Sequence, residues 1–287
     1  MAMTINLGPF ARIVGHNLGG KRMDKIATVT LENNFMTRMA FGDGGNKLYA
    51  VISKPVSGLR IQEYTLSTPW MIESMTLTKE VVTSGFFIAG DRVFIPSPGN
   101  TAFLFEYYRS RVVVYSLSVP WDLTSIPPDW TSSTEFTLPG VNGYACMSSD
   151  GLRLLTYLGG FNAGHARYGI QQTILRAPWD FSYLSWHGWS YTFQSLPGFS
   201  AIAFSPDGAS LFGLEEKDDR VIVHRYSLLP WGSTDPWRLL DAIKLVGSYE
   251  VSPVRGSPVG LLVSDDGRYV YAFVTFAETS TITQFKV

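Results

Sequence analysis

The 287-residue sequence has a single cysteine, few charged side chains and no excess of either charge. Cys146 has no second cysteine to pair with, so an internal disulfide is excluded and we expect stability to come from packing. Its apolar neighbours are typical of a buried, unreactive thiol. Lys and Arg total 23 against 24 Asp and Glu, so the chain lacks the basic excess typical of nucleic-acid partners. We therefore expect no nucleic-acid partner.

Long apolar runs are also missing from the sequence. No stretch approaches the ~20 residues that a membrane helix needs, so no membrane insertion is expected. Residues 1–23 have scattered glycines and charges but no apolar core of a signal peptide. They are interpreted as an extended arm, because Gly8-Pro9 and the glycines of residues 15–20 interrupt any periodicity. Such an arm is either a disordered tail or a tether that orders on a neighbouring subunit.

The sequence does contain a repeat, in which an Asp-Gly turn is followed by a strand-like segment and a Pro-Trp pair. The repeated tryptophans are Trp70, Trp121, Trp179 and Trp231. The repeated aspartates are Asp43, Asp150, Asp207 and Asp266, with a weaker relative at Gly90-Asp91. Recurrence at roughly 50 to 60 residues indicates a repeat architecture. We interpret both sets as structural joints, with sugar-stacking tryptophans as the alternative.

Each repeat predicts four short strands, which are the content of one β-propeller blade. The first strands are predicted to begin near Arg38, Phe86, Tyr144, Ala201 and Gly260. The last repeat stops before its fourth strand, whereas a spare strand at residues 26–31 precedes the first repeat. The sequence therefore predicts an all-β fold over residues 24–287. We expect a single five-bladed β-propeller of four-stranded blades, closed by an N-terminal strand that completes the last blade beside residues 281–287.

The Asp-Gly and Pro-Trp turns are expected on one face of this propeller, and the segments that do not repeat on the opposite face. Loops on a rigid scaffold are where recognition usually lies, which directs attention to residues 97–111, 159–167 and 215–220. Aromatic and Arg side chains there suit a partner or ligand. The candidates are Tyr107, Tyr108, Arg109, Phe161, Asn162, His165 and Arg167, with a second cluster at Trp186, His187, Trp189 and Tyr191. Solvated loops and blade-covering aromatics are the alternative interpretation.

Catalytic and metal-binding patterns are missing from the predicted inner strands. These strands contain no carboxylate, whereas a propeller glycoside hydrolase needs an acid and a base facing the central pocket. The four histidines are scattered without zinc spacing. Asp218-Asp219 and Asp265-Asp266 lack the spacing of a calcium loop. We expect no enzyme activity, no metal and no cofactor.

The segments 63–70 and 114–123, together with the Asp-Gly turns, resemble the β-propeller repeat proteins of tailed bacteriophages and environmental bacteria. The resemblance covers nearly the whole chain after Met23 and departs from the family pattern at Gly90-Asp91 and at a duplicated Pro-Trp pair ending in Trp237. It implies a virion component of the tail or capsid surface. The implied partners are other virion proteins, through residues 1–23, and a host surface receptor or glycan.

The expected function is thus a non-enzymatic structural and recognition module of a bacteriophage virion, assembled in the host cytoplasm without a signal peptide. A free carbohydrate-binding lectin is the alternative, and a propeller-type glycoside hydrolase is the third. Deleting residues 1–23 is expected to leave a folded propeller that no longer enters the particle.

Overall fold

The computed structural model describes residues 23–31, 36–54, 58–83, 92–96, 99–106, 111–125, 133–137, 145–148, 150–162, 165–183, 190–193, 198–228, 243–252, 256–276 and 279–287. These residues form β-strands joined by turns and short 3-10 segments. None of the helical segments in these ranges is long and apolar enough to span a membrane.

The architecture is an all-β β-propeller with four-stranded blades, each an antiparallel sheet of neighbouring strands. Sheet I contains β2 (Met36–Gly42), β3 (Lys47–Lys54), β4 (Gly58–Leu66) and β5 (Met75–Thr83). Sheet II contains β6 (Arg92–Phe94), β7 (Thr101–Glu106), β8 (Arg111–Ser116) and β9 (Ser133–Thr137). Sheet III contains β10 (Ala145–Met147), β11 (Arg153–Asn162), β12 (His165–Ile174) and β13 (Ser190–Phe193). Sheet IV contains β14 (Ala201–Phe204), β15 (Ser210–Lys217), β16 (Arg220–Leu228) and β17 (Ile243–Ser252). Sheet V contains β18 (Ser257–Val263), β19 (Tyr269–Phe276), β20 (Thr279–Lys286) and β1 (Asp24–Leu31).

The central strands are buried on both faces, because each sheet is covered by its neighbours in the propeller. In β15, Leu211 and Phe212 point to opposite faces, yet both are buried. The outer strand β5 differs, since residues 76–80 are exposed. Continuous apolar runs in the middle strands and polar residues in outer strands are therefore what this packing requires.

Buried clusters join neighbouring sheets and form the core. Side chains of sheets I and II share one cluster around Tyr49 and Leu104. Sheets II and III share a second cluster around Phe105. Sheets IV and V share a third around Phe212, and sheets V and I share a fourth. Strands β10 and β14 bring sheet III against sheet IV.

The N-terminal strand β1 pairs antiparallel with β20, the last strand of the chain. Thr30 lies opposite Thr281 in this register. Met23, which was predicted to belong to the arm, is fully buried in the cluster between sheets IV and V. The Val287 N–H donates to the carbonyl of Arg268, so the final residue is also held in sheet V. Residues 1–22 lie outside the described residues.

The Pro-Trp turns dock onto a glycine in the first turn of the same sheet. Trp70, Trp121 and Trp179 each have a positive φ of 61–67°, which is uncommon for a bulky residue. Their N–H groups donate to the carbonyls of Gly45, Gly99 and Gly151 at 3.0, 2.9 and 2.8 Å. A Cβ atom on any of these glycines would lie within 3.0 Å of the indole. The glycine is therefore required by the tryptophan as well as by its own positive φ.

Each of these turns also contacts the preceding sheet. The Trp70 carbonyl accepts hydrogen bonds from Tyr271 Oη at 2.6 Å and Gln284 Nε2 at 2.9 Å, both in sheet V. The Trp121 ring lies beside Gly42 of sheet I. The Trp179 ring centroid is 5.3 Å from that of Phe103 in sheet II. These tryptophans are thus joints between sheets as well as parts of their own turns.

Three of the Asp-Gly turns have the same pattern of hydrogen bonds, repeated separately in each turn. In each turn, a serine hydroxyl donates to the aspartate two residues later and accepts a hydrogen bond from the backbone N–H five residues later. The aspartate in turn accepts a hydrogen bond from the backbone N–H two residues after it. The pairs are Ser148–Asp150, Ser205–Asp207 and Ser264–Asp266, at 2.5, 2.5 and 2.6 Å. In sheet I, Gly42 occupies the serine position and Gly44 the aspartate position, so Asp43 does not take part in this network.

Several predicted boundaries in sheets I and II are wrong. The first turn of sheet II does not lie at Gly90-Asp91 but follows β6, where the Gly99 N–H donates to the Pro96 carbonyl at 2.7 Å and Gly99 has a φ of 87°. Residues 84–91, including the strand predicted at Phe86, lie outside the described residues, and the first described strand of sheet II is β6. The predicted insertion at residues 97–111 contains β7 and the start of β8. In sheet I, residues 72–77 resemble the strand at residues 26–31 in sequence, but Ile72–Ser74 is a 3-10 turn and β5 begins at Met75.

Two segments predicted as loops are paired strands. Residues 159–167 include the ends of β11 and β12, which pair from Gly159–Tyr168 to Asn162–His165. Residues 215–220 include the ends of β15 and β16 around a two-residue turn, in which Asp218 and Asp219 have φ values of 50° and 61°. Two consecutive positive φ values are typical of a tight hairpin turn, which the run of charges concealed.

Alanine substitutions separate backbone strain from indole contact. We expect Gly44→Ala to cost about 1–2 kcal/mol, because Gly44 has a φ of 58° but an added methyl carbon would meet nothing within 4 Å. Gly99→Ala and Gly151→Ala should lose about 1–3 kcal/mol more, because the methyl group would overlap the indole. Urea unfolding measures the three free energies. Equal losses of unfolding free energy in all three variants would contradict a close contact between the glycine and the indole.

Candidate functional site

The inner strands of the sheets end around a common cavity of about 520 Å³, which we call the cup. Its lining residues are Ala40, Phe41, Gly42, Gly44, Val93, Phe94, Ile95, Pro96, Trp121, Met147, Ser148, Trp179, Ala203, Phe204, Pro206, Leu262, Val263 and Asp265. A volume of this size is within the range of small-molecule sites.

The cup lies at the ends of β2, β6, β10, β14 and β18, immediately before the first turn of each sheet. It is therefore on the side of the propeller that carries the Asp-Gly and Pro-Trp turns. Trp121 and Trp179, which join the sheets, also line it. Recognition was predicted on the opposite side, where the strands of the β11–β12 and β15–β16 hairpins turn.

The walls of the cup are mainly apolar and aromatic. Phe41 is fixed by ring contacts with Trp70 and Tyr271, at centroid distances of 5.0 and 4.6 Å. Phe94 contacts Phe105 at 5.4 Å. Ring contacts to residues of the surrounding sheets hold these walls in place, so the cup is preformed rather than assembled by mobile loops.

Asp265 is the single carboxylate among the described residues that line the cup. It is open to solvent, and among the described residues no side chain or N–H group forms a hydrogen bond or ion pair with it. Although the residue as a whole is exposed, the apolar wall of the cup partly desolvates its carboxylate and raises the pKa of Asp265, and the neighbouring Asp266 carboxylate raises it further. A bound cation would favour the ionised carboxylate and would therefore lower the pKa of Asp265 again.

The adjacent Asp266 has the opposite electrostatic environment. Burial opposes its ionisation, but hydrogen bonds from the Ser264 hydroxyl and from the N–H and guanidinium of Arg268 outweigh burial and lower its pKa. The Arg268 guanidinium lies 2.6 Å from the Asp266 carboxylate. Asp266 therefore completes the turn, whereas Asp265 is left for contacts outside the protein's own network.

A second polar cluster lies in sheet IV, on the face turned away from sheet V. His224 Nε2 lies 2.7 Å from Glu215 Oε2, and His224 Nδ1 lies 2.8 Å from Ser248 Oγ. Burial lowers the pKa of His224, and the hydrogen bond and charge of Glu215 offset this only in part. None of the three residues lines the cup. Gln62 occupies the matching position in β4 and donates to Glu80 at 2.6 Å, so a cross-strand polar pair is a structural feature of this position.

The predicted ligand-binding residues are only partly described. Outside the described residues are Tyr107, Tyr108, Arg109, Trp186, His187, Trp189 and the repeat tryptophan Trp231. Phe161 and Asn162 end β11, while His165 and Arg167 begin β12, so the backbone brings these four residues to one hairpin end. Tyr191 lies in β13 opposite Ile170.

The residues of the cup were missed because they come from distant parts of the sequence. One signal was present, since an apolar residue stands immediately before the first turn of each sheet. These residues are Phe41, Ile95, Met147, Phe204 and Val263. Aligning the repeats on their turns would have shown this ring, but the absence of carboxylates directed attention away from the inner strands. Among the described residues, no group of three or more His, Cys, Asp or Glu side chains could hold a metal ion.

The chain matches no protein-family model, and no curated protein is similar to it in sequence. Solved structures that are similar in fold include the following three. The β-propeller domain of Cps50 (Swd1) from Myceliophteria thermophila is 13% identical, with a TM-score of 0.47 over 90% of this chain and 98% of that one. A chain of a nidogen/laminin complex is 11% identical, with a TM-score of 0.47 over 84% and 73%.

The third similar structure is a protein from Bacteroides uniformis, provisionally assigned as a 6-phosphogluconolactonase. It is 12% identical, with a TM-score of 0.44 over 83% of this chain and 79% of that one. With TM-scores below 0.5, none of the three carries an argument about the function of this chain.

The lowered pKa of His224 predicts a pH-dependent term in stability. Because the folded protein binds this proton less readily than the unfolded chain, the contribution of His224 is complete above its ordinary pKa of about 6.5 and is lost as pH falls below it. His224→Gln keeps neutral hydrogen bonds, as in Gln62, and should lose less stability between pH 7.5 and 5.5 than the native protein. Urea unfolding of both proteins at pH 7.5 and 5.5 measures these losses. An equal loss of stability in the native protein and in His224→Gln would contradict the role of His224.

Proposed function

We propose that the protein is a non-enzymatic binding and structural module of a bacteriophage particle, built as a five-bladed propeller that β1 closes. Three observations support the closed ring. The described strands form five four-stranded sheets. The chain's first and last strands, β1 and β20, pair with each other. The last sheet packs against the first, through β18 and β2 and through the cluster that contains Tyr271 and Leu48.

The cup is the observation that carries a binding function. It combines a concave apolar wall, aromatic rings held by neighbouring sheets and one unpaired carboxylate among its described residues. Pockets with this composition bind ligands by burying apolar surface, and their few polar groups fix orientation. The cup's aromatic walls suit ligand contact, whereas the polar cluster of His224 maintains pairing within sheet IV.

The virion role is supported by the repeat itself. The Asp-Gly and Pro-Trp turns that resemble the bacteriophage repeat proteins are the elements that join the sheets, so the shared motif accounts for the scaffold. We propose that residues 1–22 attach the propeller to other virion proteins and that the cup faces a host surface receptor or glycan. Met23 belongs to the propeller, because it is fully buried.

A free lectin is the second candidate, and the aromatic side chains of the cup favour it. Aromatic rings stack on the apolar faces of sugars, and Trp121 and Trp179 are both half-buried at the cup. The two functions differ in what the isolated chain does. A lectin binds glycans as a purified monomer, whereas the proposed virion module is recovered with particles.

The test is recovery of the chain in purified particles from the host that carries the reading frame. The native chain is expected in the particle fraction. A chain lacking residues 1–22 is expected to fold but to remain outside this fraction. The Asp265→Trp variant is expected to enter particles, and these particles should bind host cells more weakly. Ala209→Trp is the matched control, because Ala209 is exposed on the equivalent turn of sheet IV but does not line the cup, and only its backbone N–H takes part in the turn. Particles without the chain, or glycan binding by the free chain alone, would contradict the virion role.

A further inference from the structure

We propose that the cup binds a small organic cation, in which an ammonium group is carried on a compact apolar body. The inference rests on the proposed binding function of the cup and names its ligand class. The unpaired Asp265 carboxylate and the aromatic walls lie in the same cavity.

Asp265 supplies the charge that selects a cation. The other aspartate of the turn, Asp266, is neutralised by Arg268 and held by Ser264, so it is not available to a ligand. Among the described residues, no cation compensates Asp265, and no other carboxylate lines the cup. A positively charged ligand would therefore remove an uncompensated charge, whereas an anion would be repelled.

The aromatic rings supply the second component of cation recognition. Phe41, Phe94, Phe204, Trp121 and Trp179 all line the cup. The face of an aromatic ring attracts an ammonium group, and tryptophan attracts it most strongly. A carboxylate combined with several rings suits a methylated or alkyl ammonium better than a strongly hydrated metal ion, which needs oxygen ligands.

The size of the cup restricts the ligand to a small molecule. A volume of about 520 Å³ lies within the range of about 300–1,000 Å³ that drug-sized ligands occupy. Because the walls are the ends of paired strands, they are held by sheet hydrogen bonds and cannot open widely for a polymer. We therefore commit to a free organic cation rather than a peptide or a polysaccharide chain.

The proposal is tested by isothermal titration calorimetry of the full-length chain with choline and with its neutral isostere 3,3-dimethyl-1-butanol. Choline is expected to bind at least about tenfold more tightly than the isostere, since an ion pair and a cation–π contact together are worth roughly 1.4 kcal/mol or more. Asp265→Asn is expected to weaken choline binding by a similar factor and to leave binding of the isostere unchanged. Asp43→Asn is the matched control, because Asp43 lies on the same side of the propeller but does not line the cup.

Equal binding of choline and the isostere, no binding of choline at millimolar concentration, or an unchanged affinity in Asp265→Asn would each overturn the proposal. Thermal unfolding of both variants confirms that they are folded, which is expected because Asp265 is exposed and outside the serine–aspartate network. Failure here is distinguishable from failure of the proposed function. If choline does not bind but Asp265→Trp particles still lose host binding, the cup is a recognition site for another ligand class.

Discussion

Close contact between a glycine and a tryptophan is the constraint on which the rest of this structure depends. Gly45, Gly99 and Gly151 each present a bare backbone to an indole, and the corresponding carbonyl receives the tryptophan N–H. This contact fixes the turn between the two outer strands against the turn between the two inner strands. Because the same turn reaches the preceding sheet, one local contact sets both the shape of a blade and its spacing from its neighbour.

The last sheet has no described Pro-Trp turn of its own, and buried polar contacts join it to the first sheet. Gln284, which is fully buried, donates to the Trp70 carbonyl and accepts from the Ile72 N–H at 3.2 Å. Tyr271 adds a third hydrogen bond to the same turn. A buried amide that uses both its donor and its acceptor specifies one arrangement, because any shift leaves a buried polar group unsatisfied. This seam therefore orients the two ends of the chain.

The sequence predicted the propeller class, because turn chemistry and repeat spacing are local properties. The strand at residues 26–31 and the four-stranded blades were predictable from β-branched runs between Asp-Gly and Pro-Trp signals. The turn at Gly99 was not predictable, because it has no aspartate and depends on contact with the indole of Trp121. Asp43 was grouped with the turn aspartates because a glycine follows it, although Gly44 occupies the position that Asp150, Asp207 and Asp266 have in their turns. The cup could not be predicted, because Asp265 becomes distinct from Asp266 only when Arg268 and the walls are placed in space.

The central claim is that β1 is an integral strand of a closed ring rather than a peripheral addition. Native-state hydrogen exchange measures this directly, through the opening free energies of the β1 amides that pair with β20 and of the amides in the central strand β19. A closed ring predicts that the best-protected amides of both strands exchange only through global unfolding, with the same free energy. Exchange of all β1 amides at a much lower free energy than β19 would contradict closure by the N-terminal strand.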